Sequence, residues 1–199
     1  RMFRKNLTEI ITCFQDKAVP VIISDVTSNL LFSPFAYPEN IQAQEVKTVV
    51  TQAKELFQQG QYAAALELLQ PMLLSDSTNA LIQFWMGRCW LGLGNVTQAR
   101  HHLTLARDYD LLKFRAPSEI NRIISEVCSE SNVPQISAEK YIAELSPNGI
   151  TGYDLFWEHL HLRDSGYYAI AELFLEKLIN LDLIPREGEA NAYNRRLPF

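Results

Sequence analysis

The feature that most limits how this chain can fold is an internal repetition. Gly60 recurs as Gly94, Ala65 as Ala99, Leu69 as Leu103, Met72 as Ala106, Leu56 as Trp90 and Ala53 as Gly87. Each pair has one period, 94 − 60 = 34 residues. Between Ile41 and Leu111 the apolar residues follow helical spacing and no strand signal interrupts them. Small side chains at fixed offsets let paired helices approach closely. Large ones (Leu56/Trp90, Leu69/Leu103) fill the space between them, and Gly60 and Gly94 fall in the helix–helix turns.

A 34-residue unit of this kind resembles the tetratricopeptide repeat, in two copies over 46–79 and 80–113. The segment departs from that family's pattern at its usual proline, where Ser77 and Leu111 stand. Two copies are few for a free-standing solenoid, so the repeats are expected to dock on the rest of the chain. The resemblance implies a groove that takes a protein or peptide partner. Trp85 and Trp90 are placed as packing between repeats. His101 and His102, on the last repeat helix, are placed at the surface or in the groove.

The flanks read differently. Leu7, Ile10, Ile11 and Phe14 share helical spacing. The β-branched run from Val19 to Val26 reads as a buried strand of a parallel sheet, with a loop carrying Asn29 and Pro34 at its C-terminal end. After the repeats, Ser118 opens a helix, 132–137 reads as a short strand, and Ala138 begins a short helix. A turn-rich loop at 146–152 precedes a last helix from about Ser165 to Leu181. The division expected is 1–40 with 112–185 as a discontinuous α/β unit, 41–111 as the helical insertion, and 186–199 as a polar tail.

Between that loop and that helix lies Leu155-Phe156-Trp157-Glu158-His159-Leu160-His161. A carboxylate three residues before a histidine can orient an imidazole, and the imidazole can then serve as a general base. In this order of elements, the stretch resembles the acid-x-x-His block that precedes the final helix of SGNH (GDSL-type) hydrolases. The closer likeness is to SGNH-type proteins with tetratricopeptide helices inside the hydrolase domain. That resemblance spans 1–182 in three pieces. It implies a partial three-layer α/β (flavodoxin-like) sheet plus two repeat hairpins. It also implies Glu158 as orienting acid, His161 as base, Asn29 and Trp157 at the edge of the site, and an acyl or acetyl ester as substrate. Glu158 stands where the family has aspartate. The family's Gly-Asp-Ser nucleophile block and Gly-x-Asn-Asp oxyanion block do not occur, and no glycine precedes Gly60. The chain alone is therefore expected to lack esterase activity.

The net charge of −5, without a concentrated basic face, argues against a nucleic-acid binder. No apolar run reaches membrane-spanning length. Cys13, Cys89 and Cys128 are odd in number and widely spaced, and read as buried thiols. Glu158, His159 and His161 would need a further ligand to hold a metal. No metal or cofactor is expected. The opening Arg1-Met2-Phe3-Arg4-Lys5 already approaches a helix, which reads as a piece of a longer protein with any targeting segment upstream. Two readings stay open: an ester hydrolase that receives its serine from elsewhere, and a non-catalytic interaction module.

Overall fold

The computed structural model describes residues 2–37 and 43–185. The tail at 186–199 lies outside the described residues. In chain order the elements are α1 (Met2–Gln15), β1 (Ile23–Ser24), α2 (Ala43–Gln58), α3 (Tyr62–Ser75), α4 (Ala80–Gly92), α5 (Val96–Tyr109), α6 (Ser118–Glu130), β2 (Gln135–Ile136), α7 (Ala138–Leu145) and α8 (Asp164–Asn180). A 3-10 turn at Pro147–Gly149 follows α7.

The four middle helices form two antiparallel hairpins, and the reason is local. Gly60 and Gly94 hold φ of +74° and +77°, the left-handed conformation that ends α2 and α4 without a Cβ penalty. The chain then reverses: Gln61 N–H donates to Leu56 O and Asn95 N–H to Trp90 O, each at 2.9 Å. Asn79 and Asn95 cap the helices of the second hairpin through side-chain oxygens that accept from Leu81 N, Ile82 N and Gln98 N. The repeated small residues lie at the helix contacts. Ala53, Ala65 and Ala99 are wholly buried, with Leu69 and Leu103. A methyl placed on Gly87 would lie 2.7 Å from Leu103 Cγ and 3.0 Å from Leu103 N, so α4 and α5 touch there at a distance only glycine permits.

The expected three-layer α/β (flavodoxin-like) sheet is not what the chain forms. The described residues are mostly helical, and their only sheet is a two-stranded parallel pair with register Ile23↔Gln135 and Ser24↔Ile136. The run at 19–26 misled because β-branched composition reports fitness for a pleated, half-buried surface, not how many strands lie beside it. Val21 and Ile23 pack with Ile11 of α1 and with Ile123, Ile124 and Val127 of α6, whereas Val19 and Val26 are exposed. The helical spacing in α1 is likewise only partly used: Ile11 is buried, but Ile10 and Phe14 face outward. Cys13 shares that outer face, so only Cys89 and Cys128 are the buried thiols expected.

The repeats do dock on the remainder. Leu30 and Ile150, from two different loops, join Phe84, Ala99, Leu103 and Ala106 in one apolar cluster. A second tie is ionic. Arg115, 1% exposed, donates to Asn29 O (3.0 Å) and Phe32 O (2.8 Å), and pairs with Asp110 at 3.3 Å. Asp110 in turn accepts from Phe35 N, Ala36 N and Leu112 N. The pair thus fastens the loop before the repeats to the connector after them.

Candidate functional site

The Glu158 loop is a tight turn closed by an isolated antiparallel bridge, Phe156↔Leu162. Its carboxylate is saturated by its own neighbours. Oε1 accepts from His161 N (2.7 Å) and from His161 Nδ1 (2.5 Å), and Oε2 from His159 N (2.7 Å). The His159 imidazole also reaches Oε2 through Nδ1. Desolvation pushes the Glu158 carboxyl upward, but the hydrogen bonds from His161 and His159 and the nearby His159 ring outweigh it and bring its pKa down to about 2. An ionised carboxylate can only accept, so the His161 proton facing it sits on Nδ1. Its Nε2 has no partner among the described residues, and the side chain is 70% exposed.

The turn is too tight for its side chains to alternate as they would in an extended segment. Alternation would send His159 and His161 to opposite sides, yet both rings meet one carboxylate. His159 also packs into an aromatic group, with ring centroids 4.8 Å from Phe35, 5.4 Å from Phe32 and 6.1 Å from Phe114. Trp157 is exposed, with the Arg163 guanidinium 4.2 Å above its ring. Asn29 is brought to this loop but is wholly buried beneath it: its Nδ2 donates to Glu158 O (2.9 Å) and its N–H to His159 O (3.1 Å). It holds the turn from below. No serine, threonine or cysteine side chain among the described residues hydrogen-bonds His161.

A second cluster lies where α2 meets α4, and sequence reading passed over it. The Lys54 ammonium stands 5.6 Å from the Trp85 ring centre, and the Arg88 guanidinium 5.2 Å from Phe57 and 5.7 Å from Phe84. Phe57 and Trp85 meet edge to face at 5.7 Å. Among the described residues neither cation pairs with a carboxylate. Burial lowers the pKa of Arg88, partly offset by Tyr153 and Tyr62. The signal was present in the sequence, since 88 − 54 = 34 puts both cations at the same offset in the two repeats. Tyr153 also stacks near Phe32 at 6.5 Å, so this face borders the aromatics around His159.

His101 is exposed, as placed from sequence, but His102 is not. It is 8% exposed, with Nδ1 2.6 Å from Gln83 Oε1. Among the described residues no three His, Cys, Asp or Glu side chains are grouped as metal ligands, and no helix is long and apolar enough to cross a membrane.

Residues 56–111 match the family model of the tetratricopeptide repeat, so the middle of the chain carries such repeats. No curated protein and no solved structure matches the chain. No comparison supports the resemblance to SGNH-type hydrolases.

Proposed function

We propose that the chain is a protein-interaction module whose α2–α4 face takes an acidic peptide segment of a partner. Tetratricopeptide repeats commonly bind protein partners. The observation that carries the acidic specificity is the pair Lys54 and Arg88, repeat-equivalent cations held over aromatic faces and, among the described residues, left without a carboxylate. A cation over a ring stays available to an incoming anion, and partial desolvation strengthens the contact. Phe57 and Trp85 supply the apolar floor. Peptides carrying Glu or Asp beside an apolar anchor should bind, and their Gln/Asn counterparts should not. Titration followed by anisotropy measures this. The double variant Lys54→Ala/Arg88→Ala should weaken binding at least about tenfold, the equivalent of ~1.4 kcal/mol. Acidic peptides that bind the double variant as well as the parent would remove this reading.

One observation favours a second reading, in which Glu158 and His161 are the acid and base of an ester hydrolase. A carboxylate on Nδ1 fixes the tautomer and leaves Nε2 free to take a proton from a hydroxyl and return it to the leaving group. The serine would have to be supplied by another segment or another chain. An aryl ester should then be stable to this chain alone. In any assembly of it that does hydrolyse the ester, His161→Ala should abolish turnover; activity that persists there would assign the base elsewhere.

A further inference from the structure

Between the last repeat helix and the remainder of the molecule lies a cavity of about 580 Å³, within the range of small-molecule sites. The α5 side contributes Arg100, Thr104 and Arg107. Asp25 and Ser28 from the segment after β1, and Glu139 from α7, face them. Arg100 and Arg107 are seven residues apart on α5, a helical rise of about 10 Å. The cavity therefore has two ends, and they differ in charge.

At one end Arg107 is fully engaged. It reaches Asp108 Oδ1 (3.0 Å), Glu139 Oε1 (2.8 Å) and Ser118 Oγ (2.6 Å). Asp25 beside it has no cationic partner among the described residues. Its Oδ1 accepts from Glu139 N at 2.8 Å and the carboxylate also takes the Ala138 backbone N–H, which still leaves acceptor capacity on a group that has about four lone-pair sites. Burial first, and then the charge of Glu139, raises the Asp25 pKa against the lowering effect of the Glu139 and Ala138 backbone N–H groups. Ser28 lines the same cavity, 4% exposed, and its buried Oγ has no hydrogen-bond partner among the described residues. A buried hydroxyl of this kind costs stability unless something completes it.

The opposite end is cationic. Arg100 crosses to the 3-10 turn and, among the described residues, makes one long hydrogen bond, 3.5 Å to Asn148 O, which leaves most of its five donors unused there. Its guanidinium occupies the space that a side chain at Gly149 would fill. Lys140 and Glu144, also on the wall, offset each other at 3.7 Å.

We infer that this cavity binds a small zwitterion of the ω-amino acid type, with its ammonium between Asp25 and Ser28 and its carboxylate on Arg100. An ammonium donates three hydrogen bonds, which suits a carboxylate short of positive charge and an orphan hydroxyl. A carboxylate takes the fork of a guanidinium. The ligand would bridge the repeats and the α7 region, so that binding also tightens the docking of one on the other.

Calorimetric titration of the full chain tests this with ε-aminocaproate, caproate and hexylamine. The zwitterion should bind saturably, with each singly charged analogue at least about tenfold weaker. Arg100→Met should reduce ε-aminocaproate to the level of hexylamine. Ser28→Ala should leave the free chain as stable as before or more so, because it removes an unpartnered hydroxyl, and yet should weaken the zwitterion. Absence of saturable binding, equal binding of all three probes, or binding that survives both substitutions would overturn the assignment.

Discussion

Histidines 101 and 102 show what one position along a helix decides. Neighbouring residues on a helix lie about 100° apart, so two adjacent histidines do not share an environment. His101 faces outward and His102 is buried against Gln83, whose Nε2 donates to Ser77 O at 2.6 Å. Burial, with the His101 ring beside it, lowers the His102 pKa from 6.5 to about 4. The sign follows from linkage: between those values the unfolded chain binds a proton and the folded chain does not. Stability present above pH 6.5 is therefore lost as the pH falls toward 4. The full loss is on the order of 3 kcal/mol at about 1.36 kcal/mol per pH unit. His102→Asn keeps a donor at the Nδ1 position and does not titrate. Urea midpoints at pH 7 and pH 5 should fall steeply for the parent and distinctly less for the variant. Parallel pH dependences would mean that His102 is not the group that titrates.

For the elements, close approach is the controlling variable. Gly87→Ala should gain about 1 kcal/mol of helix propensity. It should still lose roughly 1–3 kcal/mol net of stability, because the new methyl meets the Leu103 backbone as well as its side chain. Trimming the partner should recover part of that loss, so Gly87→Ala and Leu103→Ala should be non-additive in denaturant unfolding. Additive losses would show that the helices do not touch there. This hairpin pair was the most legible part of the chain. Its period, its turn glycines and its small residues are all local consequences of helix packing, and they name the same residues twice. The sheet was not legible. Val19 to Val26 has the composition of a central strand, but the number of neighbouring strands depends on other segments, and a window of eight residues carries no record of them. The Glu158 turn lies between these cases. The acid–histidine spacing was readable in sequence. The participation of both imidazoles follows from the tightness of the turn, which no spacing rule reports, and the wholly buried Asn29 beneath the loop follows from a contact 129 residues apart in sequence.

Across the whole molecule, one buried ion pair connects the parts that matter for either function. Asp110 ends the last repeat helix, and Arg115 reaches from the connector to the loop that carries Asn29. Asn29 then holds the backbone of Glu158 and His159. Such a pair contributes little beyond an apolar replacement of the same shape, but breaking it strands a buried charge. Asp110→Ala should therefore cost about 3–5 kcal/mol, a large share of the ~5–15 kcal/mol that holds a domain folded. Asp110→Leu combined with Arg115→Met should recover much of the loss. The two variants separate stability from positioning, since the second refills the space but cannot donate to Asn29 O and Phe32 O. Hydrogen exchange should show this as faster exchange at Asn29, Phe35 and Ala36 in both variants, with α2 and α3 still protected in the double variant. If the segment at 29–36 kept its parent protection in the double variant, the apolar cluster of Leu30 and Ile150 on α4 and α5 would be what holds it, and the ion pair would be dispensable for positioning the Glu158 turn.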